Sequence, residues 1–365
     1  MRPVNPLLVL SVACLFWTLT PFESTAKEII SDDSTRPVFR EIWAYLMQGE
    51  EKELTGTEPI TDLCYFGVGL TREGRIVDKF AKPAIVFKNG RKPRVEVVVA
   101  ELSNSSLMHF SLDPEYGVRP LLIDDICRLS EEFDGVQIDF EAVFSDDAEY
   151  FFGFLKELRQ KLPAGKMLSV ALPARFEQIA DAYDYVRIAP IVDRIVIMAY
   201  DEHWSTSSPG PVASLAWCAK VAEYARGAVA SDKLVMGLPL YGRAWQDKRL
   251  ARALRFRNVL DIVAQKKSTP NYTSDLGAYF EYSENVVVKV FYDDTRTILE
   301  KLKLYRAKNI ASVSFWRIGQ GPPELWSSIG VDSGMTPEIG EGVAVSSSEN
   351  APDTSMLAQW PLRTP

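Results

Sequence analysis

Eight short runs rich in Val, Ile, Leu and aromatic residues alternate with longer amphipathic stretches through most of this chain. The runs are Glu41 to Leu46, Asp62 to Val68, Arg94 to Ala100, Gly135 to Glu141, Met167 to Leu172, Arg194 to Ala199, Leu234 to Leu238 and Ala311 to Phe315. Several are apolar on both faces, as strands of a parallel sheet covered on both sides are. Leu121 to Phe133, Ala148 to Leu162, Ser214 to Ala228 and Thr295 to Lys308 have helical spacing. This order predicts right-handed crossovers and a parallel sheet. Eight such units fit a closed (β/α)8 TIM barrel, an α/β fold, better than an open doubly wound sheet. An open sheet would more often carry a glycine-rich phosphate loop after its first strand, and the chain has neither GxGxxG nor GxxxxGK[ST].

The alternation breaks once, between Leu238 and Ala311. Within that gap Asn258 to Lys266 reads as a helix, and Ala278 to Tyr282 and Val286 to Phe291 as strands. A small α+β insertion over about residues 246–290 is therefore expected between strands seven and eight, on the barrel's top face. The barrel itself is expected over 38–330. Residues 331–365 are rich in Ser, Gly, Pro and acidic side chains, a composition that leaves too little apolar surface to order a tail.

At the other end, Arg2, the apolar run Leu7 to Leu19 and Ser24-Thr25-Ala26 have the form of a cleaved export signal over residues 1–26. A polar linker, 27–37, follows. The run is shorter than the ~20 residues a spanning helix needs, so a secreted or periplasmic chain is expected, with lipid modification at Cys14 as a weaker alternative. Without Cys14 the chain keeps Cys64, Cys127 and Cys218, which are far apart and offer no CxxC metal spacing. They read as small buried hydrophobes with room for one bridge at most. A net charge of -8 and the absence of any basic run exclude nucleic acid and anionic membrane surfaces as natural partners.

The stretch Phe133 to Glu141, FDGVQIDFE, alternates strictly. As a strand it puts Val136, Ile138 and Phe140 on one face and Gln137, Asp139 and Glu141 on the other. Neighbours in the polar row would lie roughly 6.6 to 7 Å apart. Two carboxylates that close resist ionising together, which raises one pKa towards the range of a general acid. A solvent-exposed sheet edge would show the same pattern, so the surroundings of the row decide. Asp134 lies on the other parity and is assigned a structural role.

In a barrel, the carboxyl ends of the strands line the active site. Those ends carry Tyr45; Asp139 and Glu141; Tyr200, Asp201, Glu202 and His203; Tyr241, Gly242 and Arg243; and Trp316. Carboxylates with tyrosines and a tryptophan suit a sugar. The acids work on the glycosidic bond, and the flat rings pack against pyranose faces.

Four segments then add a resemblance. DGVQIDFE is similar to the DGxDxDxE signature of family 18 glycoside hydrolases, the chitinase-like enzymes. MAYD (Met198 to Asp201), GLPLYGRAW (Gly237 to Trp245) and SFWRIG (Ser314 to Gly319) resemble further motifs of that family in the same order. The resemblance covers nearly all of Val38 to Gly330. The run Tyr200 to Ser214, YDEHWSTSSPGPVAS, looks more like bacterial members that act on cell-wall or spore-cortex glycan than like the large chitin-degrading enzymes.

The resemblance implies roles position by position. Glu141 stands where the general acid stands and Asp139 where the substrate's 2-acetamido group is oriented. Tyr200 would donate to that group with Asp201 beside it. Trp316 would floor the sugar pocket, with Tyr45, Met198 and Arg243 completing it. The nucleophile would be the acetamido oxygen itself, and no cofactor is implied. The implied partner is a polysaccharide or oligosaccharide containing N-acetylglucosamine: peptidoglycan first, chitin-type oligomers second. Two departures stand out. Gln137 replaces the aspartate that shares a proton with the middle one; an amide can donate to Asp139 but cannot take up a proton. The SxGG that often follows strand three is replaced by Ala100-Glu101-Leu102-Ser103. Gln137 therefore also leaves open a chitinase-like lectin that kept the cleft and lost turnover.

Other features point less sharply. His203 could touch substrate or make a structural hydrogen bond. His109 reads as a surface or loop residue, and Asp146, Asp147 and Glu149 as an acidic first turn of the next helix. Asn104-Ser105-Ser106 and Asn271-Tyr272-Thr273 match glycosylation acceptors.

Overall fold

The computed structural model describes residues 36–332, apart from 77–79, 247–249 and 284–285. The expected export signal with Cys14, the linker up to Thr35 and the tail beyond Asp332 lie outside the described residues. After a short strand, Val38–Phe39, which pairs in parallel with Gly330–Val331, come seven barrel strands: β1 (Glu41–Met47), β2 (Asp62–Gly69), β3 (Arg94–Glu101), β4 (Gly135–Phe140), β5 (Met167–Pro173), β6 (Arg194–Met198) and β7 (Leu234–Pro239). An inserted sheet follows, made of β8 (Tyr241–Gln246), β9 (Arg252–Arg255), β10 (Asn271–Thr273), β11 (Gly277–Ser283) and β12 (Val287–Tyr292). The last barrel strand is β13 (Ser312–Trp316). It pairs in parallel with both β1 and β7, which closes an eight-stranded barrel in the order β13-β1-β2-β3-β4-β5-β6-β7. The barrel strands begin and end within two residues of the runs read from the sequence.

The helices are α1 (Ser105–Leu112), α2 (Arg119–Ser130), α3 (Ala148–Lys161), α4 (Tyr185–Ile188), α5 (Leu215–Ala228), α6 (Phe256–Lys266) and α7 (Thr295–Ala307). Their apolar stripes cover the outside of the barrel. On α3, Phe151, Phe152, Phe154, Leu155 and Leu158 are all buried, and Phe140 of β4 packs on Phe154 at 5.5 Å between ring centroids. The outward row of β4 therefore does what its parity predicts: Val136, Ile138 and Phe140 belong to the layer between strands and helices. Among the described residues no helix is long and apolar enough to cross a membrane.

The insertion departs from expectation at its start. Tyr241, Gly242 and Arg243, read above as a strand end, form the first strand of the inserted sheet, so that sheet begins five residues earlier than expected. The φ of Gly242 needs no glycine. A Cβ there would come within 2.7 Å of Tyr292 Cβ and 2.8 Å of the Phe291 carbonyl oxygen. Glycine lets two strands approach closely, one of the reasons it occurs inside a strand. The insertion is tied to the barrel by Arg255, which reaches Glu50 at 2.6 Å and Glu53 at 3.2 Å.

The amino-terminal mouth of the barrel is closed by charge. Glu41 accepts from Arg194 Nη2 at 2.6 Å and from Arg94 Nη2 at 3.1 Å, and Arg94 Nε donates to Asp62 at 2.5 Å. Conserving a fold through that end, rather than chemistry, is what barrel residues there ordinarily do.

His109 is at the surface as expected, its side chain 38% exposed, but lies in a helix and not in a loop. It sits on α1, and its Nδ1 lies 2.9 Å from Asp147 Oδ1. Asp147 is buried and spends its carboxylate on that ring, so it supplies no cap to α3. A partner so distant in the chain has no spacing by which to be read. Asn104 caps α1, accepting from the Leu107 amide at 3.0 Å. Asp134 accepts from the Val95 amide at 2.7 Å and from Lys82, a structural role as expected. Cys64, Cys127 and Cys218 are free thiols, the first and last buried.

Candidate active site

Strand β4 brings the polar row inside the barrel. Gln137 is fully buried and Asp139 is 2% exposed, so the row is no solvent edge. Its register sets Gln137 beside Val98 of β3 and Ser169 of β5, and Asp139 beside Ala100. Glu141 lies one residue past the strand, half-buried, where its backbone N–H donates to the Glu101 carbonyl at 2.8 Å and prolongs the ladder. The Glu101 side chain accepts from the Ser103 and Asn104 amides at 3.1 and 2.9 Å. In place of a glycine turn, the segment after β3 is thus folded by a carboxylate that leads into α1.

Two hydrogen bonds fix the Gln137 amide. The Tyr45 hydroxyl donates to its oxygen at 2.6 Å, and its nitrogen donates to Ser169 Oγ at 3.1 Å. Tyr45 is buried, and burial, then Cys64, Tyr200, Asp139 and Glu96, pushes its phenol well above the ordinary value. Its ring packs at 5.0 Å on Trp316, which also meets Phe66 edge-on at 5.3 Å. The tryptophan at the end of β13 therefore lies across the barrel mouth, held by rings from β1 and β2.

On the opposite side β6 delivers Met198, buried with its backbone beside Pro173, and then Tyr200 and Asp201. Burial first, then Asp139, Tyr241, Glu141 and Asp201, pushes the Tyr200 phenol well above its ordinary value, so it remains a proton donor. Its ring has room because residue 237 is glycine: a Cβ there would lie 3.2 Å from Tyr200 Cε1 and 2.6 Å from the Ile197 carbonyl oxygen. Asp201 has a left-handed backbone, φ 61°, which aspartate tolerates better than most residues. Its Oδ1 accepts from Tyr241 Oη at 2.5 Å and from Arg243 Nη2 at 2.7 Å.

Gln137, Asp139, Tyr45, Tyr200 and Trp316 are thus brought together at the barrel mouth, as are Asp201 and Arg243 beside Tyr200. His203 is turned to structure: its Nδ1 lies 2.9 Å from the Pro211 carbonyl oxygen, and a Cβ on Gly210 would strike its ring at 2.4 Å. Tyr241, read from the sequence as a strand-end residue, holds Asp201. Two buried residues escaped the sequence reading. Ser169 links Gln137 to Glu96, donating to Glu96 Oε2 at 2.5 Å. Phe66 backs Trp316. The parity of Ser169 within MLSVALP is the one signal for it, because Leu168 and Val170 face the helices.

YdhD of Bacillus subtilis (strain 168), named for a sporulation-specific glycosylase, is 32% identical over 222 residues, which are 57% of this chain and 53% of that protein. The cortical fragment-lytic enzyme of Bacillus anthracis is 26% identical over 291 residues, 73% of this chain and 66% of that protein. The chain spans about half to two thirds of the length of these relatives. The crystal structure of the Bacillus cereus spore cortex-lytic enzyme SleL has the same fold, with a TM-score of 0.71 over 81% of this chain and 76% of that one, at 23% identity. The family model for Glycosyl hydrolases family 18 matches residues 122–321. That span runs from the helix before the signature strand to the turn after the last barrel strand, and it makes the chain a member of the glycosyl hydrolases of family 18.

Proposed function

We propose that the chain cleaves β-1,4 bonds next to N-acetylglucosamine by substrate-assisted, retaining catalysis. Glu141 gives its proton to the leaving glycosidic oxygen as the bond to C1 breaks. The carbonyl oxygen of the substrate's own 2-acetamido group attacks C1 and forms an oxazolinium ion. Asp139 orients that group and offsets its positive charge, while Tyr200 donates to its oxygen. Water then attacks C1, the Glu141 carboxylate takes the water proton, and the configuration at C1 is retained. The observation that carries this reading is the placement of Tyr200, a phenol held protonated among Asp139, Glu141 and Asp201. Trp316, Tyr45, Met198, Arg243 and Asp201 shape the pocket.

Peptidoglycan is the first choice of substrate, in keeping with relatives named for spore cortex, and chitin-type oligomers are the second. The same reading has residues 1–26 directing export to a secreted or periplasmic site, and 38–330 forming the catalytic barrel. The test is to offer N-acetylated and de-N-acetylated oligomers of equal length. Cleavage of the acetylated ones alone is expected. Equal cleavage of both would overturn substrate assistance.

One observation favours a second reading. The Gln137 amide is engaged by Tyr45 and Ser169 and cannot take up a proton, which suits a lectin that binds these glycans without cutting them. Saturable binding with no products from either glycan would select it.

A further inference from the structure

Below the catalytic row, the barrel interior holds a carboxylate that no step above uses. Glu96 of β3 is 1% exposed, accepts from Ser169 Oγ at 2.5 Å, and has its second oxygen buried with no hydrogen-bond partner among the described residues. The facing groups do not neutralise it. Arg94, two residues before it on β3, spends its guanidinium on Asp62 and Glu41. Asp62 and Cys64 on β2 and Glu41 and Tyr45 on β1 add negative or titratable groups, and Gln137 and Ser169 are neutral. Burial, opposed by the Ser169 hydrogen bond, pushes the carboxyl up to about 8. Burial therefore favours the protonated carboxyl of Glu96 at neutral pH.

Four groups form one chain: Glu96, Ser169, Gln137 and Tyr45. A carboxyl, a hydroxyl, an amide and a phenol can each donate or accept, so the chain can run in either direction. In the arrangement described above it runs downward: Tyr45 donates to Gln137, Gln137 to Ser169, and Ser169 to a Glu96 that only accepts. With a proton on Glu96 it can run upward. Glu96 then donates to Ser169, Ser169 to the amide oxygen, the flipped amide nitrogen to Tyr45, and the Tyr45 proton is released towards Asp139. Asp139 is among the charges that raise the Tyr45 phenol, which places it within electrostatic reach.

We infer that Glu96 is a positioning residue for the proposed hydrolysis, setting through Ser169 and Gln137 which way the Tyr45 hydroxyl points. It supplies, two hydrogen bonds away, the proton that the amide at position 137 cannot hold. No bond other than hydrogen bonds changes, and the inference rests on the hydrolytic reading above.

The test compares the full chain with Glu96→Gln and Ser169→Ala. A glutamine at 96 donates at every pH and keeps the upward direction. Its kcat should stay within about twofold of wild type at pH 7 and exceed it by about tenfold at pH 9, where a group titrating near 8 is mostly ionised. Ser169→Ala should lower kcat at both pH values with KM little changed. An infrared band of a protonated carboxyl, present at pH 7, lost above pH 9 and absent in Glu96→Gln, reads the proton without any activity. A Glu96→Gln profile that falls with wild type above pH 8, or the absence of that band at pH 7, would overturn the inference. A wild type inactive on every glycan, with the band present and assigned to Glu96, would overturn the hydrolytic role of the relay and the hydrolytic reading together, leaving the proton on Glu96 standing.

Discussion

Tyr45 and Gln137 meet across the inside of the barrel, phenol to amide oxygen, at 2.6 Å. They come from β1 and β4, and neither is exposed to solvent. Tyr45→Phe leaves the amide oxygen without that donor, a desolvated acceptor that costs about 1–3 kcal/mol. Denaturant unfolding should show that loss, and kcat should fall about tenfold as the amide loses its fixed orientation.

Gly237→Ala tests the bed under Tyr200. The added methyl meets the Ile197 carbonyl oxygen at 2.6 Å and pushes on the Tyr200 ring. Stability should drop by about 1–3 kcal/mol, as for other overpacked cores, and kcat should fall more than KM rises. Wild-type kinetics in a folded Gly237→Ala protein would show that Tyr200 needs no such bed.

Asp201→Asn keeps the shape and removes the charge. Arg243 is 8% exposed at its side chain and would lose the carboxylate that Nη2 meets at 2.7 Å. Breaking a buried pair from one side costs about 3–5 kcal/mol when the remaining charge is left without compensation. The retained amide oxygen should bring the loss to the lower end of that range, read by thermal or denaturant unfolding.

Glu41 sets an acid limit. Burial would raise its carboxyl, but hydrogen bonding and charge from Arg194, with Arg94, bring it from 4.5 down to about 2. A depressed carboxyl stabilises the fold fully above pH 4.5, and that stabilisation is lost as pH falls through 2. Glu41→Gln should therefore be less stable than wild type by on the order of 3 kcal/mol at pH 7, with the gap narrowing between pH 4.5 and 2.

The barrel was legible because its signals are local. Period-two runs such as Arg94 to Ala100 and helical stripes such as the one on Ala148 to Leu162 need no knowledge of partners. The polar row on β4 was legible for the same reason, since parity alone separates Asp139 from Phe140. What a local pattern leaves out is the partner across the barrel. Ser169 looks like a lone hydroxyl in an apolar strand until the register sets it beside Gln137. Gly242 has no local reason to be glycine until Tyr292 is found against it. His109 finds Asp147 only through tertiary packing, and His203 reads equally as a substrate contact or a structural bond until Pro211 takes its Nδ1.

The most direct test of the account is mass spectrometry of products after incubating the purified chain with peptidoglycan and, separately, with chitin oligomers, alongside Glu141→Gln. Fragments ending in reducing N-acetylglucosamine from the wild type, and none from the variant, are the expected result. Equal products from Glu141→Gln, or none from the wild type on either glycan, would contradict it.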